Sequence, residues 1–192
     1  VDYLVRQGRV ARFRGRGTFV VEPPKQQKII LPLDRHLTAS EVAQENNQRI
    51  ENQVLEFRRM PASEDIAREL NIPAGTEVYF MIRLRLLGDE PFVYEQCWML
   101  CDRFPDITRA AMTSSKYAYI RSKGFQPAGS TKLISAELPS NEIRVALNLS
   151  RDQPVLHSHA IVSFTDGTLF EVSDVYYNQK NYGFSVHAKV KA

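Results

Sequence analysis

Residues 78–100, VYFMIRLRLLGDEPFVYEQCWML, contain two runs rich in β-branched and aromatic residues, 78–87 and 92–100. The turn-forming segment Gly-Asp-Glu-Pro joins them, which predicts an antiparallel hairpin or meander. Successive strand side chains point to opposite faces, so Arg83 and Arg85 share one face of the first strand. The apolar residues that alternate with them share the other face, where we expect helices to pack.

The rest of the chain places further strands and helices around this hairpin. Helical patterns occur at 34–47, 63–70, 114–123 and 139–147, and strand patterns at 49–60, 132–136, 155–164, 169–177 and 184–190. Strands and helices are segregated rather than strictly alternating. We therefore expect an α+β fold with a mainly antiparallel six-stranded sheet.

Composition narrows the class of protein. Of 192 residues, 43% are hydrophobic and 24% are charged, the balance of a soluble globular protein that buries a core. The apolar runs are far shorter than the roughly 20 residues that cross a bilayer, and the start shows no apolar core of a secretory signal. Cys97 and Cys101 are too few for a disulfide framework and lack partners for a zinc site. These features predict a cytoplasmic protein without a membrane partner.

Charge is distributed unevenly along the chain. Residues 1–30 contain seven Lys or Arg against two acids, a net +5, whereas the remainder contains 18 basic and 20 acidic residues, a net −2. A basic segment attached to a mildly acidic body is expected when one end of a protein meets a polyanion.

The basic segment has the pattern of a hairpin. VARFR at 10–14 and TFVV at 18–21 read as short strands around Gly-Arg-Gly, whose glycines permit the positive φ of a tight turn. Arg12 and Arg14 share a strand face, and Arg16 lies at the tip. They are candidates for contacts with DNA phosphates. The alternative is a solvated hairpin whose arginines contact no partner.

The stretch LVRQGRVARFRGRGTFV, 4–20, resembles the end of the winged helix-turn-helix of GntR-family transcription regulators. The resemblance implies that Arg12, Arg14, Arg16 and Gly17 lie near the DNA backbone or minor groove. Residues 1–22 would then be the carboxy-terminal remnant of that domain, followed by a proline-containing linker at 23–33. The helix that reads bases in the major groove uses its amino-terminal residues, which 1–22 does not include, so we do not expect this chain alone to bind an operator.

Arg83 and Arg85 are candidates for an anion site. Two neighbouring guanidinium groups repel each other unless an anion lies between them, so a phosphate or carboxylate ligand would explain the pair. The alternative is a surface pair neutralised by Glu77, Asp89 or Glu90.

Residues 49–189 resemble the UTRA effector-binding domain of the histidine-utilisation-repressor (HutC) branch of the GntR family. The matching landmarks are VLEFRRMPAS, AxELNIPAGTEVY, RLR, the acid of VYEQ and FEVSDVYY. The resemblance implies a chorismate-lyase-like fold over 34–192. It also implies an effector site in which Arg83, Arg85, Ser115 and Tyr117 hold a phosphate. The other residues that it implies at this site are Glu95, Glu171, Tyr177 and Ser40.

Other chemistry has little support in the sequence. His157 and His159 alternate on a strand pattern without a third ligand at metal spacing, so we expect no metal site. We also identify no catalytic motif and expect no cofactor.

Taken together, these observations predict the effector-sensing part of a ligand-responsive regulator and no enzymatic turnover. We expect a homodimeric repressor released from operator DNA by a small anionic metabolite such as a sugar phosphate. One alternative is a chorismate-lyase-like enzyme acting on a small anionic substrate, since fold alone does not decide function. Another is a binding module that acts through protein contacts.

Overall fold

The computed structural model describes residues 10–13, 17–20, 29–33, 50–180 and 182–186. The helices in this part of the chain are α1 Glu64–Leu70, α2 Arg109–Met112, α3 Lys116–Ser122 and α4 Asn141–Ala146. The strands are β1 Val10–Phe13, β2 Gly17–Val20, β3 Ile29–Pro32, β4 Ile50–Pro61, β5 Glu77–Leu87, β6 Glu90–Leu100, β7 Pro127–Glu137, β8 Val155–Phe164, β9 Leu169–Asn178 and β10 Tyr182–Ser185.

The main sheet has six strands in the order β4-β5-β6-β9-β8-β7, and every neighbouring pair is antiparallel. This confirms the predicted α+β class and the six-stranded antiparallel sheet. The described part of the last strand pattern, at 184–190, belongs to β10, which pairs in parallel with β3 and not with the main sheet.

The helices are short, and serine or threonine hydroxyls cap them. The side-chain hydroxyls of Ser63, Ser115 and Ser140 each accept a hydrogen bond from the backbone N–H three residues further along the chain. Each bond satisfies one of the free N–H groups in the first turn of α1, α3 or α4. The helix predicted at 114–123 begins only at Lys116, and the separate turn α2 precedes it. β7 is longer than the predicted 132–136 because Pro127–Thr131, despite low strand propensity, pairs with the end of β8.

The two faces of the sheet have different coverings. On one face Phe80, Ile82 and Tyr94 form a core with Ile143 and Leu147 from α4 and its end. On the opposite face, residues of β5 and β6 lie against α2 and α3, and the participants include Met81, Cys97, Met112, Tyr117 and Ile120. This second face also carries Arg83 and Arg85, so the pair lies beneath a helical cover.

β3 and β10 form a small layer beside the main sheet. Ile29 and Leu31 are almost completely buried against Phe92, Val93 and the neighbouring tyrosines. The ring of Tyr177 in β9 stacks on Tyr182 in β10 with centroids 4.2 Å apart. The segment predicted as a linker, 23–33, therefore ends as a strand packed on the body.

The predicted amino-terminal hairpin is present in the described residues. β1 and β2 pair antiparallel from Val10 opposite Val20 to Phe13 opposite Gly17. Gly17 has a φ of 99°, which a residue with a Cβ rarely adopts. Arg12 lies in β1, while Arg14, Arg16 and Ser40 lie outside the described residues, as does the helix predicted at 34–47.

In the part of the chain that the structure describes, no helix has the length and apolar character needed to cross a bilayer.

Candidate functional site

A cavity opens on the arginine-bearing face of the sheet, beneath the start of α3. About 520 Å³ of space free of protein atoms lies in it, and part of that space is open solvent at its mouth. Side chains from β3, β5, β6, β7, β8, β9 and α3 line it. Of the residues that the sequence predicted for the effector site, the cavity brings together Arg85, Glu95, Tyr117, Glu171 and Tyr177.

The floor of the cavity consists of small side chains. Ser158 and Ala160 alternate on β8, and Ser173 lies opposite Ala160 on β9. Because neighbouring strands are about 4.8 Å apart, larger side chains at these positions would meet over the sheet and fill the space. The local sequence therefore creates the cavity by placing Ser, Ala and Ser at central positions that usually carry Val, Ile or Leu.

Arg83 and Arg85 are joined by a carboxylate of the protein itself. The Oε2 atom of Glu95 accepts hydrogen bonds from Arg83 Nη2 at 2.7 Å and from Arg85 Nη2 at 2.5 Å. Arg83 is 2% exposed and also reaches the carbonyl of Met112, whereas Arg85 lies on the cavity wall. The sequence also allowed Glu77, Asp89 or Glu90 to neutralise the arginines, but the structure pairs both with Glu95. Arg83 does not line the cavity itself and lies behind the wall that Arg85 forms.

Lys116, the first residue of α3, links two carboxylates. Its Nζ donates to Glu95 Oε1 and to Glu171 Oε1, both at 2.7 Å, and lies 3.4 Å from the sulfur of Cys97. Lys116, Glu95 and Glu171 are each 2% exposed. The ammonium group therefore ties the beginning of α3 to both β6 and β9.

Charges and burial set the protonation of this cluster. Burial disfavours the charge of Glu95, but Arg83, Lys116 and Arg85 outweigh it and hold the pKa of Glu95 well below its usual range. Burial likewise opposes the ammonium charge of Lys116, yet the surrounding carboxylates raise its pKa above the usual value. The ionic forms of both residues are therefore the stable ones at neutral pH.

The acid at the other side of the cavity has spare acceptor capacity. Glu171 uses Oε1 for Lys116, while its Oε2 is buried without a hydrogen-bond partner. Tyr117 and Tyr177 flank the cavity, and burial raises the pKa of Tyr177 to about 12, so its hydroxyl is neutral. A hydroxyl or ammonium group of a ligand would satisfy the free oxygen of Glu171.

Ser115 has a different contact from the one expected of it. Its Oγ accepts a hydrogen bond from the backbone N–H of Ala118 at 3.2 Å and caps α3. The cavity lining includes its neighbours Lys116 and Tyr117 but not Ser115.

Glu95, Cys97 and Glu171 could in principle hold a metal ion, since one ligand atom of each lies within 4.8 Å of the others. The ammonium of Lys116 contacts all three residues and occupies the cation position among them. Burial raises the pKa of Cys97, so it is a neutral thiol rather than a thiolate ligand. The trio is thus arranged around a lysine.

His157 and His159 lie on the opposite face of the sheet, away from the cavity. His157 Nε2 lies 2.8 Å and His159 Nδ1 lies 2.9 Å from the same oxygen, Oδ1 of Asp174. The carboxylate therefore provides a hydrogen-bond partner for each ring.

The sequence reasoning did not identify several cavity residues. Lys116, Lys132, Ser130, Ser158 and Ser173 line the cavity, although each looks like a solvent-facing residue in the sequence. The one local signal was available at Lys116, which lies between the predicted Ser115 and Tyr117. For Ser173, strand parity relative to Glu171 would have indicated the same face, whereas Ser130 and Ser158 are on other strands and also require the register between strands.

The cluster beneath α3 has an excess of positive charge. Three cations, Arg83, Arg85 and Lys116, meet two carboxylates, Glu95 and Glu171, and Lys132 adds a further cation on the cavity wall. A cavity with this balance and with a free carboxylate oxygen suits a small polar ligand. The fold and the cavity together define a ligand-binding domain.

Comparisons with known proteins identify the family. The family model for the UTRA domain matches residues 45–182. The chain is 27% identical over 190 residues to the mannosyl-D-glycerate transport/metabolism system repressor MngR of Escherichia coli, covering 98% of this chain and 78% of that protein.

Solved structures agree with this match. PhnF from Mycobacterium smegmatis has a TM-score of 0.80 at 23% identity, covering 99% of this chain and 82% of that one, which shows the shared fold. A GntR-family transcriptional regulator from Bacillus cereus has a TM-score of 0.65 at 27% identity, covering 73% of this chain and 99% of that one.

The chain belongs to the UTRA-domain family of GntR-type transcription regulators. It contains the effector domain of a regulator, and the enzyme alternative is not supported because the relatives and structural neighbours are regulators.

Proposed function

We propose that this domain binds a small anionic metabolite, such as a sugar phosphate, and thereby releases a homodimeric repressor from operator DNA. The excess positive charge of the cavity is the observation that carries the proposal. Among the residues predicted for the effector, Arg85, Tyr117, Glu171 and Tyr177 would contact it. Arg83, Glu95 and Ser115 would hold the wall and the helix in place, and Ser40 is a further candidate.

The amino-terminal residues support the regulatory part of the proposal. Residues 1–22 would belong to the DNA-binding unit, with Arg12, Arg14, Arg16 and Gly17 near DNA, followed by the linker 23–33 and the effector domain 34–192. Leu31, within that linker, lines the cavity directly. A ligand in the cavity would therefore touch the segment that leads to the DNA-binding unit. MngR, one relative, is named as a repressor, which favours repression here.

Thermal unfolding of the chain with a panel of compounds tests the effector class. The panel contains inorganic phosphate, a hexose 6-phosphate and the corresponding uncharged hexose. We expect the sugar phosphate to raise the melting temperature most, since a ligand at 100 times its Kd adds about 2.7 kcal/mol. Stabilisation by the uncharged hexose alone would contradict an anionic effector.

Sedimentation analysis tests the dimer, and a monomer at high micromolar concentration would contradict it.

A further inference from the structure

The cavity has a second polar end, formed by Lys132, Ser130, Ser158 and Ser173, which we call the lysine–serine subsite. We propose that this subsite, and not the arginine pair, receives the anionic group of the effector. The inference rests on the proposed function, because it locates the charged group of a ligand that binds in the same cavity.

The register of the sheet places these four side chains on one face. Lys132 on β7 lies opposite Ala160 on β8, and Ala160 lies opposite Ser173 on β9. With strands about 4.8 Å apart, the backbones of Lys132 and Ser173 are separated by about 10 Å. The methyl group of Ala160 leaves room between them, so the lysine side chain can extend over the cavity floor.

Lys132 differs from the other cations of the cavity in that no carboxylate of the described residues forms an ion pair with it. Arg83, Arg85 and Lys116 each donate to a carboxylate within 2.7 Å. Among the described residues, none makes an ion pair with Lys132 within 4.0 Å. Burial lowers the pKa of Lys132, and Glu171, the charge that acts on it, only partly opposes this effect. A bound anion would compensate the positive charge of the buried Lys132 ammonium group.

The serines complete an oxyanion-binding arrangement. Ser130 is two residues from Lys132 and shares its strand face, while Ser158 and Ser173 are 2% and 5% exposed and line the cavity. Hydroxyl groups and an ammonium group are donors that a phosphate or carboxylate accepts. The arginine pair is already partly neutralised, because Glu95 accepts from Nη2 of both guanidinium groups and leaves only the Nε atoms as buried donors without a partner.

Glu171 specifies the rest of the ligand. It lies opposite Val162, which in turn lies opposite Ser130, so the Glu171 side chain lines the same face of the sheet as the lysine–serine subsite, and its Oε2 has no hydrogen-bond partner. A carboxylate oxygen accepts hydrogen bonds and repels anions. The ligand that fits is therefore a small oxyanion that also carries a hydroxyl or ammonium donor, the chemistry of a polyol phosphate or a hydroxy acid.

Chemical labelling tests the subsite on the unaltered chain. An amine-acetylating reagent is applied with and without the hexose 6-phosphate, and each lysine is quantified by mass spectrometry. We expect the sugar phosphate to protect Lys132 at least fivefold, while Lys180, exposed and outside the cavity, reacts equally in both samples. Unchanged labelling of Lys132 at saturating sugar phosphate would overturn the proposal.

A matched pair of variants gives the second test. Lys132→Met keeps most of the length of the side chain and removes its charge, and Lys180→Met is the control. By calorimetry, we expect Lys132→Met to weaken binding of the hexose 6-phosphate at least tenfold and Lys180→Met to leave it unchanged. Undiminished binding to Lys132→Met, with loss in Arg85→Met, would place the anion at the arginines and overturn only the subsite. Failure of every anion to bind the wild-type chain would overturn the proposed function as well.

Discussion

Lys116 Nζ lies 2.7 Å from Glu171 Oε1, and both side chains are almost completely buried. The same ammonium group is bonded to Glu95, which in turn joins Arg83 and Arg85. One lysine thus connects the first turn of α3 with two strands that are neighbours in the sheet, β6 and β9. The wall of the cavity is held by ionic contacts rather than by apolar packing alone.

Removing the charge of Lys116 should lower stability substantially. Lys116→Met leaves two buried carboxylates without their shared partner, and breaking a buried ion pair costs about 3–5 kcal/mol. Urea unfolding measures the change. Lys123→Met is the control, because its pair with Asp106 is exposed to solvent and such pairs contribute about 0–1 kcal/mol. Equal effects of the two substitutions would contradict the role assigned to Lys116.

The network predicts a loss of stability in acid. The pKa of Glu95 is lower in the folded protein than the value of about 4.3 expected in the unfolded chain. Its contribution is therefore complete above that pH and is lost as the pH falls toward the folded-state pKa. We expect the unfolding free energy of Glu95→Gln to fall less steeply than that of the wild type below about pH 4.3. The exposed variant Glu90→Gln should follow the wild-type curve, and parallel curves for all three proteins would refute the prediction.

Filling the cavity should abolish effector binding without unfolding the domain. Ala160→Leu places a larger side chain on the cavity floor between Lys132 and Ser173. We expect the melting-temperature increase produced by the hexose 6-phosphate to disappear. Ala136→Leu makes the same substitution at an exposed position of β7 outside the cavity lining, and should retain the increase. Persistence of the increase in Ala160→Leu would show that the ligand binds elsewhere.

Leu31 should anchor the small layer formed by β3 and β10. Its side chain is 2% exposed, and replacing a buried leucine by alanine costs about 2–5 kcal/mol. We expect Leu31→Ala to reduce stability by an amount in this range and to accelerate amide hydrogen exchange in β3 and β10. Leu33→Ala, at a residue 37% exposed, should change both quantities much less. Unchanged exchange in Leu31→Ala would mean that the two strands are held mainly by their backbone hydrogen bonds.

Local patterns predicted much of the fold. Alternation in 78–100 predicted β5 and β6 and placed Arg83 and Arg85 on one face, as the structure confirms. The pairing of β10 with β3 could not be predicted in this way, because the two strands are about 150 residues apart in sequence and only tertiary packing brings them together.

The candidate site was less accessible to sequence reasoning. Lys116 and Lys132 look like ordinary solvent-facing lysines, and only the packing of α3 on the sheet and the strand order bring them to one cavity. The sequence also did not predict which acid pairs with the two arginines, because Glu95 lies ten or more positions away on the next strand. Its position opposite Arg83 depends on the register across the turn between β5 and β6.

The anchoring of β3 fixes how far the basic hairpin can travel. Eight residues, 21–28, separate the end of β2 from the start of β3. A connection of eight residues spans at most about 30 Å, slightly less than one turn of duplex DNA. A ligand that displaced Leu31 would therefore shift one end of a connection whose greatest possible span is shorter than one turn of DNA.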